Sequence, residues 1–372
     1  MAPRVWLLLA DKAGDNAQVE TLARAITEQL GWRCERKRLV VREEWRVAKP
    51  KVGVRVDHVD LAASDPLTPP WPELLITIGR RPSSVALWVR EQSVGRTRIV
   101  LVGKPSSPIE WYDLVVSSAE NRLPALPNVA TIDLPLMSVD PAAVADAAAR
   151  WAPRLADLPR PLVALLVGGP TGPFLYDRRA VERLLEQARA VANRGGTAWI
   201  LTSRRTPGGV VAALASRTSP TLRLTPWRAD LPADENPYRA LLGTADGFVV
   251  TCDSISMMVE VARLGRPLQI LPLPTSRLGA LDLLRRRLAD RVFTGGSDGR
   301  LAGLLYRLGL VTQTRAFEAF YQELERRGLA QPLGGPFHAP ATAVADDLAP
   351  VVARIAVLAQ AAPLPAPAGR AA

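Results

Sequence analysis

Four short stretches gather groups that could bind an anion or move a proton. Arg204-Arg205-Thr206-Pro207 offers two guanidinium groups, a capping hydroxyl and a proline suited to a first helical turn. An arginine placed there can clamp a diphosphate bidentately; equally, the pair could bond loop carbonyls on the surface. Gly79-Arg80-Arg81-Pro82-Ser83 repeats the design earlier in the chain, with Gly79 permitting a tight turn and close approach of a ligand. Gly168-Gly169-Pro170-Thr171-Gly172 would allow the same approach, or would simply make a tight connection. The fourth stretch, Asp11-Lys12-Ala13-Gly14-Asp15-Asn16, holds two carboxylates, an ammonium and an amide. A carboxylate can take a proton from an attacking hydroxyl. His58 falls in the alternating segment from Val52 to Leu61 and His338 in a late loop, so elimination leaves Asp11 or Asp15 as a side-chain base. Asp15 could instead cap the helix that follows.

A fifth stretch, from Val249 to Leu271, reads as strand, polar turn, helix, Gly-X-Pro break and second strand. Asp253 and Ser254 are helix-capping types, and Ser256 and Glu260, four residues apart, share one helix face. Capping alone would account for Asp253, Ser254 and Ser256, and an i,i+3 ion pair with Arg263 for Glu260.

Each stretch follows an apolar, β-favouring run and precedes a helical pattern. Val5 to Ala10, Leu74 to Ile78, Arg98 to Val102, Leu114 to Ser117 and Thr131 to Ile132 read as strands. After a Pro- and Ala-rich stretch the alternation restarts, with strands at Leu162 to Val167, Ala198 to Thr202, Thr221 to Leu224 and Val249 to Cys252. Strands alternating with helices predict parallel sheets whose carboxyl ends carry the binding loops. The expected organisation is a Rossmann-like domain over 1–137 and an interdomain helix and linker over 138–161. A second Rossmann-like domain over 162–335 follows, then a helix with a disordered Pro/Ala tail over 336–372.

Composition narrows the function. The net charge of +11 is carried almost wholly by arginine, the lysines being Lys12, Lys37, Lys49, Lys51 and Lys104. Such a surface suits phosphates or an anionic membrane reached peripherally. Nucleic acid is not expected: there is no zinc-finger spacing and no RNA-binding aromatic signature, and a run such as Arg285 to Arg287 reads as a solvated helix face. Cys34 and Cys252 cannot make a disulfide framework, no apolar run is long enough to span a bilayer, and the opening segment reads as a strand. A cytoplasmic protein, at most touching the inner face of the membrane, is the expectation. No Walker A loop, HExxH, CxxC or GxSxG is present, so neither a metal nor a cofactor is expected.

Taken in order, DNAQ at 15–18, GRRPSS at 79–84, GGPTG at 168–172, TSRRTP at 202–207 and DSISMMVEVARLGRP at 253–267 resemble the mitochondrial-fission Elm family and its bacterial relatives, over residues 5–330. Plant members of that family are linked to mitochondrial division through dynamin-related partners. Its bacterial members look like GT-B glycosyltransferases of surface-polysaccharide or lipooligosaccharide synthesis. The resemblance implies a GT-B-like α/β fold, with two Rossmann-like domains facing a cleft. It implies a nucleotide-diphosphate sugar as substrate and a glycan or lipid-linked acceptor. By position in its βαβ unit, Glu260 matches the GT-B glutamate that holds the nucleotide ribose, although Val261 stands where many GT-B enzymes have alanine. The donor would then meet Gly168, Gly169, Arg204, Arg205, Thr206, Asp253, Ser254, Ser256 and Glu260. The acceptor would lie near Asp11, Lys12, Gly14, Asp15, Asn16, Gly79, Arg80, Arg81 and Ser83. A nucleotide-sugar 2-epimerase and a non-enzymatic membrane-associated scaffold are the competing readings.

Overall fold

A computed structural model describes residues 2–45, 50–121, 123–137, 139–232, 234–276, 279, 317–341, 344 and 348–360. The segment Arg285 to Arg287 and the tail 361–372 lie outside the described residues. The chain divides into two compact units. Among the described residues the first contains 2–137 and 348–360, and the second 139–276, 279, 317–341 and 344.

The first unit is a parallel sheet in the order β2-β1-β5-β6-β7-β8. Its strands are β1 (Val5–Leu9), β2 (Cys34–Arg38), β5 (Leu74–Ile78), β6 (Arg98–Val102), β7 (Leu114–Ser118) and β8 (Val129–Ile132). A short antiparallel pair, β3 (Val40–Val41) with β4 (Val59–Asp60), lies beside it in the chain. The inner strands are near-continuous apolar runs such as VWLLL and LLITI, as a sheet covered on both faces requires. Helices α1 (Ala13–Leu30) and α2 (Arg80–Gln92) follow β1 and β5. Gly31, at φ 68°, closes α1 by donating its N–H to Thr27 O. Two apolar clusters sandwich the sheet, one around Leu22, Ile26 and Ile76, the other around Trp6, Leu75 and Val85. At the amino end of β6 and β7, Asp113 holds Arg90, Arg98 and the Ile99 N–H. That end of the sheet is a closed ionic cluster, and the loops with unassigned polar groups lie at the other end.

The second unit repeats the architecture in the order β11-β10-β9-β12-β13, all parallel. These strands are β9 (Leu162–Val167), β10 (Thr197–Thr202), β11 (Leu222–Thr225), β12 (Gly247–Thr251) and β13 (Leu268–Leu271). Its helices among the described residues are α3 (Pro141–Leu155), α4 (Arg178–Asn193), α5 (Gly208–Ala215), α6 (Tyr238–Thr244), α7 (Ile255–Arg263) and α8 (Phe317–Arg326). Asp140 and Asp177 cap α3 and α4 through their carboxylates.

The stretch expected as an interdomain connection is largely the helix α3, which packs on α6 inside the second unit. Late in the sequence, α9 (Leu348–Gln360) returns to the first unit and packs on α1 through Val351, Val352 and Ile355. Both cysteines are free. No helix among the described residues is long and apolar enough to cross a membrane.

Candidate functional site

In each sheet the order of strands reverses direction once, between β1 and β5 in the first unit and between β9 and β12 in the second. Open α/β sheets bind ligands at such points, outside the carboxyl ends of the strands.

At the first switch point the loops after β1 and β5 meet. Arg81 Nη2 lies 3.6 Å from Asp11 Oδ2, and Lys12 Nζ lies 3.9 Å from Asp15 Oδ2. Gly79 sits at φ 84°, and a Cβ there would stand 3.5 Å from the Asp15 carboxylate. Asp11, Lys12 and Arg80 are exposed, and Arg80 meets no side-chain partner among the described residues. Three members of the expected set are otherwise employed. Arg81 is buried, donating to Trp45 O at 3.1 Å, while His58, itself fully buried, bonds Arg81 O at 2.9 Å. Ser83 is buried and donates back to Gly79 O at 2.6 Å. Asn16 accepts from Ala10 N at 3.1 Å and donates to Ala10 O at 2.8 Å, imitating a neighbouring strand. Gly14 lies in the first turn of α1 with open space around it. That helix begins at Ala13, and Asp15 lies inside its first turn and is not the cap. Burial pushes the His58 imidazole below its usual range.

At the second switch point the polar groups satisfy one another. Asp253 accepts from Gly169 N at 2.8 Å and from Tyr176 Oη at 2.6 Å, and is 2% exposed. Gly168 N donates to Thr251 Oγ1 at 2.9 Å. Ser203 and Thr206 both direct hydroxyls at Gly168 O, at 2.8 and 2.5 Å. A Cβ on Gly168 would overlap the Asp253 carboxylate, and one on Gly169 would overlap Arg205. The close approach that these glycines permit is therefore the protein's own. Desolvation raises the Asp253 carboxyl above its ordinary range despite its hydrogen bonds, and burial likewise raises Tyr176.

Around this closed knot Arg204 and Ser256 are exposed. Arg204 is exposed and has no partner among the described residues, whereas its neighbour Arg205 is latched to Thr171 Oγ1 at 3.0 Å. Pro207, not Thr206, occupies the cap position of α5, because the Thr206 hydroxyl is turned toward β9. Ser256 is exposed in the first turn of α7, while Ser254 is buried at its cap position without a side-chain cap bond. Glu260, one turn on, is half-buried and accepts from Tyr238 Oη at 2.6 Å; its carboxyl is raised by burial.

Sequence reasoning passed over Tyr176, Thr251 and Ser203, which lock the second switch point, and Tyr238, which holds Glu260. No spacing rule connects them to their partners, since Tyr176 and Asp253 are 77 residues apart. It also passed over Ser117, Ser118, Glu120 and Asn121, a buried polar cluster at the carboxyl end of β7. The change from LVV to SSAEN could have marked it, by the same strand-then-polar rule that found the other loops. Among the described residues no group of His, Cys, Asp and Glu is arranged to hold a metal ion.

Residues 13–306 match the profile of the family described as Mitochondrial fission ELM1. The chain belongs to that family. A curated relative, the mitochondrial fission protein ELM1 of Arabidopsis thaliana, is 25% identical over 252 residues, 61% of this chain and 58% of the relative. The chain thus spans a little under three fifths of that protein's length. Among solved structures, the UDP-GlcNAc 2-epimerase of Methanocaldococcus jannaschii is 10% identical at a TM-score of 0.46, covering 95% of this chain and 99% of that one. Arabidopsis thaliana UGT89C1, complexed with UDP, is 10% identical at a TM-score of 0.43, covering 87% and 99%. Both likenesses are distant; the two parallel sheets define the Rossmann-like α/β fold of this ELM1-family chain by themselves.

Proposed function

We propose that this protein is a glycosyltransferase that moves a sugar from a nucleotide-diphosphate donor to a glycan or lipid-linked acceptor. The observation that carries the reading is Arg204, an exposed guanidinium without a partner among the described residues, at the carboxyl end of β10 and just before the start of α5. The first N–H groups of a helix have no partner inside it and carry the positive end of the dipole, so this corner favours a diphosphate. Glu260 would hold the ribose, with Tyr238 fixing its carboxylate. In the reaction the acceptor oxygen bonds to the anomeric carbon as the bond to the diphosphate oxygen breaks. Arg204 offsets the charge left on the diphosphate, and Asp11 or Asp15 takes the acceptor's proton. The excess of arginine would let the protein rest on an anionic membrane that presents a lipid-linked acceptor.

Calorimetry with a panel of nucleotide sugars tests the donor site. Arg204→Ala should weaken the best-bound one by about 1.5–3 kcal/mol, the value of a charge-assisted contact, without lowering stability. Unchanged affinity in both Arg204→Ala and Glu260→Ala would remove the assignment.

The closed knot at the second switch point favours a second reading, a non-enzymatic scaffold that keeps the fold for partner binding. Failure of the wild-type protein to bind any member of the panel would select it.

A further inference from the structure

Trp227 stands just beyond the carboxyl end of β11 with 44% of its surface exposed. Its indole meets no other ring and no hydrogen-bond partner among the described residues. Six other tryptophans each meet an aromatic ring. Trp6, Trp71 and Trp88 meet edge to face, Trp151 and Trp199 do the same, and Trp45 packs on His58. The backbone beneath Trp227 is held firmly. Its N–H donates to Thr202 Oγ1 at 2.9 Å, on the buried last residue of β10. Two residues earlier, Thr225 Oγ1 accepts from Trp199 Nε1 at 3.0 Å, and Pro226 between them has a fixed φ. The neighbouring cation Arg228 is occupied by Asp230. A large ring left nearly half in water on a held backbone, with no ring partner of its own, offers a π-face.

Arg204 lies two residues beyond Thr202, so the paired carboxyl ends of β10 and β11 carry an unengaged guanidinium and an unengaged aromatic face. An aromatic ring joined to a diphosphate matches that pair. We infer that Trp227 is the stacking platform for the base of the nucleotide, an inference that rests on the donor-site reading above and adds the part of the ligand that Arg204 does not touch.

The test measures calorimetric affinities of UDP, ADP, GDP and inorganic pyrophosphate for wild type, Trp227→Ala, Trp227→Phe and Arg204→Ala. Trp227→Ala should weaken the best-bound nucleoside diphosphate roughly 5- to 150-fold, the span of base–aromatic stacking, and leave pyrophosphate affinity unchanged. Trp227→Phe should keep most of the affinity, because the aromatic face remains. Arg204→Ala should weaken pyrophosphate and nucleotides together. Nucleotide binding that depends on Arg204 but is indifferent to Trp227→Ala would overturn the stacking platform alone. An equal loss of pyrophosphate affinity in Trp227→Ala would make Trp227 a structural residue and overturn it too. If wild type binds none of the four probes, the donor-site reading falls and this inference falls with it.

Discussion

Asp11 and Asp253 hold comparable places in their units: each follows a strand that flanks a switch point, at the carboxyl end. Their surroundings are opposite. Asp11 is exposed and faces Arg81 at 3.6 Å, whereas Asp253 is sealed between the Gly169 N–H and the Tyr176 hydroxyl. The same residue type in the same kind of loop is available for chemistry in one unit and serves as a structural clasp in the other. The packing above it makes the difference. Tyr176 covers Asp253, and Gly169 brings its backbone N–H within reach while Gly168 leaves room for the carboxylate. No side chain comparable to Tyr176 donates to Asp11 among the described residues.

That contrast can be broken by mutation. Asp253→Ala should have the largest effect, a loss of about 3 kcal/mol, because it leaves a buried N–H and a half-buried hydroxyl without their acceptor. Chemical denaturation followed by circular dichroism measures it. Gly168→Ala should cost about 1–3 kcal/mol in the same assay, since its Cβ would overlap the Asp253 carboxylate. Asp11→Asn should change stability by less than about 0.5 kcal/mol and act on turnover instead. If Asp11→Asn unfolds the protein as readily as Asp253→Ala does, the two sites are not different in kind. If both Asp11→Asn and Asp15→Asn turn over at the wild-type rate, no general base lies in the first loop.

A finer difference lies in the response to pH. Burial raises the Asp253 carboxyl above its ordinary 3.8, so between that value and the raised one the folded chain binds the additional proton. Stability from this group is therefore lost as pH rises through that window, and Asp253→Asn should flatten the fall. His58 runs the other way. Its imidazole is pushed below the ordinary 6.5, so the unfolded chain takes up the proton first and stability is lost as pH falls below about 6.5. His58→Gln should remove that acid limb. Urea midpoints collected between about pH 4 and 8 test both signs.

The sequence made the inner strands readable because apolar runs such as LLITI and LVALLV are needed wherever a sheet is covered on both faces. It concealed β2, whose CERKR has the composition of a solvated segment; that strand lies at an edge and pairs on one side only. The candidate loops were also readable, as polar stretches directly after strands. Which members would face outward was not. Arg80 and Arg81 are adjacent and chemically identical, yet one is exposed and the other is buried against Trp45 and Asp11. Arg204 and Arg205 are both exposed and divide by partner instead, Arg205 alone being bonded to Thr171, which lies 34 residues earlier. Such sorting depends on contacts between distant segments, which periodicity does not encode.

The return of α9 to the first unit has a consequence for solubility. Among the described residues β8 is an edge strand, and its free side would present carbonyls to any other extended chain. Arg354 of α9 donates to Val129 O at 2.7 Å and to Pro127 O, placing a cation at the start of that edge. The helix is thus a guard against strand-on-strand association as well as a part of the core. A chain ended before Leu348 would lose both at once, and its failure should show first as concentration-dependent aggregation, ahead of any lowered melting temperature.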